Sequence, residues 1–88
     1  MLSRDAALDA LSARCRRVDA ATLLAAEAER DVQAVLGVCD PERDPRVAFS
    51  VGWFHLMRYM VLTSAQGLGE LETAFRYFGR GTRTIRRA

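Results

Sequence analysis

The sequence predicts an all-α fold: a small bundle of three or four antiparallel helices arranged around a central helix over residues 46–63. Three observations carry that expectation. Fourteen of the 88 residues are alanine, the strongest helix former. The prolines stand only at 41 and 45, which leaves long uninterrupted stretches on both sides. Through the first of these stretches, apolar residues recur at steps of three and four, the spacing that gathers them on one helix face. Half the residues are hydrophobic, enough for a core and too many for a disordered chain.

At the N-terminus Ser3 is placed to cap a helix, with Asp5 in its first turn to suit the helix dipole. Leu8, Leu11, Cys15, Val18, Thr22, Ala25, Val32, Leu36 and Cys39 then form an apolar stripe, broken by Glu29 in an apolar slot. The stripe fits one long helix or two helices meeting near 17–20, where Asp19 is a good N-cap ahead of the run ATLLAAEAERDVQAVL. Two helices are the preferred reading, because helices longer than thirty residues are uncommon in small domains. Gly37 stands where a C-terminal helix cap would, and GVCDPERDP is the clear loop. Asp44 followed by Pro45 is a strong helix start: the carboxylate caps, and proline gives up an N–H that had no partner. SAQGLG reads as a break and ELETAFRYF as a short last helix ending at Gly79. Residues 1–79 thus read as one helical domain and 80–88 as a basic, flexible tail.

The central segment, VGWFHLMRYMVL at 51–62, is apolar nearly all round, the mark of a helix packed on several sides. Gly52 costs it up to ~1 kcal/mol of helix propensity, a cost that close approach by a neighbouring helix would offset. Trp53 and Tyr59 suit the edge of a core. Arg58 can lay its stem on apolar surface and pair its guanidinium with Glu70 or Glu72.

Gly52, Trp53, His55, Arg58 and Tyr59, followed by Ala74 and Phe78, resemble tetratricopeptide (TPR) helical hairpins. More narrowly, they resemble the repeats of GC-rich bacterial proteins that join such helices to a caspase-like CHAT protease domain. In that pattern Gly52 would meet Ala74 on the next helix, and Phe78 follows Ala74 by the expected four positions. The separation of Gly52 from Ala74 is about twice that of a standard repeat, so the first helix or its loop must be longer. The resemblance implies a TPR-like hairpin that binds or positions other proteins, without protease activity in this chain.

The net charge is +2, unevenly spread. Residues 79–88, GRGTRTIRRA, hold four arginines and no acid, while residues 1–78 set nine arginines against eleven acids. There is no lysine, which with the alanine excess looks like a GC-rich genome. Cys15 and Cys39 form no metal pattern and read as free thiols in a reducing cytoplasm. The apolar segment 47–62 is too short and too polar to span a membrane.

Several candidate sites reduce to structural readings. His55, the single histidine, has no nucleophile or carboxylate placed against it by sequence and reads as structural. Glu27, Glu29 and Asp31 lack the Glu-x-x-His partner of a carboxylate metal site and read as a solvated face. GLG at 67–69 lacks the Lys-Ser/Thr of a phosphate loop. No cofactor or metal is expected, and no enzymatic activity. The function expected is protein–protein interaction or scaffolding, through a protein partner or a homo-oligomer, with Trp53, Phe54, Met57 and Arg58 as the contact residues. The alternative is nucleic-acid binding or regulation through Arg80, Arg83, Arg86 and Arg87.

Overall fold

The computed structural model describes residues 3–17, 19–62 and 64–87, with backbone alone at 64–66 and 87. Among the described residues there are five helices and no strand: α1 (Arg4–Cys15), α2 (Ala20–Leu23), α3 (Ala26–Val38), α4 (Pro45–Val61) and α5 (Ser64–Arg87).

The helix starts follow local chemistry. The Ser3 hydroxyl accepts from the Ala6 N–H at 3.2 Å. Asp19 accepts from the Thr22 N–H at 2.7 Å and from its hydroxyl at 3.0 Å, bonds that hold its carboxyl below the usual range. Asp44 accepts from the Arg46 N–H at 3.0 Å, with Pro45 at the first helical position. Each carboxylate or hydroxyl satisfies an N–H that the helix itself leaves unpaired.

The interruption expected near residues 17–20 is present, and a second falls at Leu24 and Ala25, so α2 is only four residues long. Each break restarts the helical phase. The buried residues beyond it are therefore Leu23, Ala28, Val32 and Val35, not the Thr22 and Ala25 that a continuous count puts on the stripe. Val18 lies outside the described residues. Gly37 is inside α3 and not its cap; the helix ends one residue later, at Val38, and Cys39 follows in extended conformation.

α4 is the hub, in contact with every other helix. Val47, Val51, Phe54 and Met57 face α1–α3 and join Leu8, Leu11, Leu23, Val32 and Val35 in the core. α1 runs beside α4 in the same direction: Arg4 donates to Asp44 at 2.6 Å, while Ser12, Cys15 and Arg16 lie opposite Phe49, Ser50 and Trp53.

α5 corrects the reading of the C-terminal third. The chain breaks at Leu62, which is extended, and not at SAQGLG; Gly67 and Gly69 lie within the helix. Glycine serves packing here. A Cβ on Gly67 would meet the Tyr59 ring at 2.9 Å, one on Gly81 the Phe49 ring at 2.9 Å, and one on Gly52 the Phe78 ring at 2.7 Å and the Ala74 carbonyl at 3.1 Å. These three contacts give the register of an antiparallel α4–α5 hairpin, with its two axes drawn close. The helix also passes the Gly79 stop expected of it. Arg80 Nε reaches Glu42 at 2.9 Å, its guanidinium covers the Tyr77 ring, and the Thr84 hydroxyl lies 3.1 Å from the Glu42 carbonyl. These contacts give residues 80–87 tertiary partners that a sequence reading cannot supply, and the helix continues through them.

Two substitutions separate the roles of the glycines. Gly52→Ala should lower stability by ~1–3 kcal/mol in chemical denaturation, the usual range for overpacking. Gly69→Ala, with nothing within 4 Å of its added methyl, should raise it by up to ~1 kcal/mol. Equal gains from both would rule out the close approach at Gly52.

Candidate functional site

The hairpin has two contrasting flanks. On one, Arg58 is buried, 6% exposed, and its neighbours satisfy it on three sides. Nε donates to the Leu23 carbonyl at 2.8 Å, and Nη1 donates to the Glu29 carboxylate and, at 3.5 Å, to Glu70. Its guanidinium carbon sits 4.6 Å from the centre of the Phe54 ring. A buried guanidinium is tolerable only when paired and hydrogen-bonded in this way. The Glu70 partner matches the sequence expectation. Glu29 and Leu23 do not appear in it, although Glu29 left a trace as the one acid in the apolar stripe.

His55 joins the same network. The Glu70 carboxylate accepts from its Nδ1 at 2.5 Å, so the carboxylate partner missing from the sequence reading comes from α5. The ring stacks on Tyr77, with centroids 5.9 Å apart and planes 8° from parallel, and meets Phe54 edge-on. Among the described residues no hydroxyl or thiol hydrogen-bonds to this ring. The arrangement orients the imidazole and ties α4 to α5.

The other flank is open. Trp53 and Met60 on α4, and Leu68 and Phe75 on α5, are exposed, Trp53 by 49% and Phe75 by 62%. Helical spacing and the hairpin register put these four on one side, opposite His55 and Tyr77. At its α1 end this flank deepens into a cleft of about 830 Å³. Phe49, Ser50 and Trp53 of α4 form the floor, Ser12, Cys15 and Arg16 of α1 one wall, and Phe78 of α5 the other. Cys15 is buried, and burial pushes its thiol up to about 11, so at neutral pH it is an uncharged, poorly nucleophilic part of the wall.

The four residues expected to contact a partner are therefore not equivalent. Trp53 is on the surface, whereas Phe54, Met57 and Arg58 are buried within the chain. Of the expected basic tail, Arg83 and Arg86 are exposed, Arg80 is half-buried against Glu42 and Tyr77, and the Arg87 side chain is outside the described residues. Asp31 pairs with Arg14 and Glu29 with Arg58, which divides the acidic cluster between structural contacts. Among the described residues no group of three potential metal ligands converges, and no helix is long and apolar enough to cross a membrane. Cys15 and Cys39 are free thiols, the first buried and the second half-buried.

Comparisons with protein-family models, with curated proteins and with solved structures find no match for this chain.

Truncating the buried cation leaves the Leu23 carbonyl without its donor and Glu70 with His55 as its remaining partner. Arg58→Ala should therefore cost roughly 2–4 kcal/mol in denaturant unfolding. Arg58→Met, which keeps the stem, should recover part of that loss; a cost under ~0.5 kcal/mol for Arg58→Ala would show that the network does not hold the helices together. The Cys15 thiol gives a pH test. Its folded pKa, about 11, lies above the ordinary 9.0, so its contribution is complete below that ordinary value and is lost as pH rises towards 11. Across that alkaline window the parent should lose stability faster than Cys15→Ala, whose residue carries no proton; equal slopes would show that the thiol is not desolvated.

Proposed function

We propose that this chain is a non-enzymatic protein-interaction or scaffolding module, in which a TPR-like hairpin, α4–α5, is braced by α1–α3. It self-associates or joins a larger assembly through its open flank. The observation that carries this reading is that flank: Trp53, Met60, Leu68 and Phe75 project from one side of a hairpin whose opposite side is closed by the Arg58 network. Contiguous exposed aromatic and aliphatic groups are what interface centres are made of. The contact of Gly52 with Ala74 and Phe78 supports the hairpin resemblance, since these are the positions that its pattern brings together.

A second reading, nucleic-acid binding, draws support from the continuation of α5. Helical spacing puts Arg76, Arg80, Arg83 and residue 87 in one row, with Arg76 and Arg83 exposed. Removing residues 80–88 would also remove the Arg80–Glu42 contact, so the informative variant is Arg76→Ala with Arg83→Ala. Salt-sensitive binding of a DNA duplex should fall in that double variant, and no binding by the parent at low salt removes this reading.

Light scattering behind a sizing column, over a wide concentration range, tests the first reading. The parent should show a dimer or larger species, and Trp53→Asp or Phe75→Asp should return it to monomer with helix content unchanged by circular dichroism. A parent that stays monomeric throughout rules out self-association.

A further inference from the structure

We propose that the cleft between α1 and the α4–α5 hairpin is a binding site for a small amphipathic anion, one with an aromatic or aliphatic body and a single carboxylate. At about 830 Å³, the cleft falls within the range of small-molecule sites, which are mostly apolar with a few polar groups that set orientation. Its lining has that division. Phe49, Trp53 and Phe78 supply three aromatic surfaces from two helices, and Ser12, Ser50 and Arg16 supply the polar groups.

The polar groups also choose the charge of the ligand. Ser12 and Arg16 lie one turn apart on the same edge of α1, so hydroxyl and guanidinium can address one headgroup. Ser50 adds a hydroxyl on the floor of the same cleft. Among the described residues, Arg16 makes no ion pair and neither serine hydroxyl makes a hydrogen bond, so all three retain their capacity for a ligand. Arginine offers a planar fork that matches a carboxylate. Asp9, one turn earlier on α1, does not line the cleft, and no acid does. A cationic ligand would therefore meet repulsion and no partner. The uncharged Cys15 thiol adds apolar wall.

The cleft lies within one chain but shares Trp53 with the open flank, so light scattering accompanies each titration and separates ligand binding, at constant mass, from a change in association. Trp53 is the only tryptophan and forms part of the floor, so its fluorescence reports occupancy directly. The probe is decanoate below its micelle concentration, titrated into the full chain beside decanol and decyltrimethylammonium. Decanoate should produce a saturable shift of the Trp53 emission. Arg16→Gln, a change at an exposed position, should weaken decanoate about three- to tenfold and leave decanol unchanged. Ser50→Phe should fill the cleft and abolish both; if it fails to fold by circular dichroism, Ser12→Phe takes its place. The proposal is overturned by an unsaturable response to decanoate, by equal affinity for the ammonium probe, or by an Arg16→Gln variant that binds decanoate as the parent does.

Discussion

Arg58 is the residue on which the arrangement of helices depends. It sits in the middle of the hub helix, where an apolar side chain would be expected, and it spends its donors on three other elements. The Leu23 carbonyl belongs to the last turn of α2, a helix too short to be stable alone. A cation there meets both an unpaired carbonyl and the negative end of the helix dipole. Glu29 is in the first turn of α3, where its carboxylate is favoured by the opposite end of a dipole. One guanidinium thus ties α2, which buries only Leu23, to α3 and to the hub. Burying it has a large desolvation cost, so this network favours one arrangement of α2, α3 and α5 over alternatives more than it adds net stability.

The hub helix solves the same problem differently around its circumference. Towards α1–α3 it buries branched and aromatic side chains. On the seam with α5 both helices give up side chains: Gly52 of α4 and Gly67 and Gly81 of α5 let rings from the opposite helix lie against backbone. Dispersion contacts replace hydrophobic volume along that seam. Only the sector between α1 and α5 is left unfilled, and it is there that Trp53 stands. The open flank lies where neither α1 nor α5 covers the hub helix. α5 is drawn in by its glycines, and α1 is held at the far end by Arg4 and Asp44.

Much of this was legible in the residues. The capping side chains at 3, 19 and 44, the central position of α4, the close approach at Gly52 and the pairing of Arg58 with Glu70 all rest on chemistry local enough to read. What was not legible depended on partners distant in the chain. Leu24 and Ala25 carry no turn signal, so the second interruption is a tertiary effect. Gly67 and Gly69 read as breakers because a sequence does not show the Tyr59 ring that makes glycine useful at 67. The helical end of α5 was missed for the same reason: nothing near Arg80 announces Glu42. For the candidate site, Trp53 was found from its size and its place on the helix. Of the residues grouped with it, the 100° step turns Phe54 and Arg58 towards the core, whereas Met57 stays near the Trp53 face and is buried by the neighbouring helices. The cleft needs α1 alongside α4, a placement that no pattern in either helix encodes.

The loop between α3 and α4 receives both ends of the helical framework. Arg4, at the start of α1, grips Asp44, and Arg80 and Thr84, near the end of α5, grip Glu42 two residues away. The first and last turns are therefore neighbours in space. A unit with this property can be spliced into a surface loop of a host polypeptide without stretching either junction, and its order of helices can be rotated by joining the old ends and opening a new pair. In such a unit the 39–44 loop is the keystone and the least suitable place to cut.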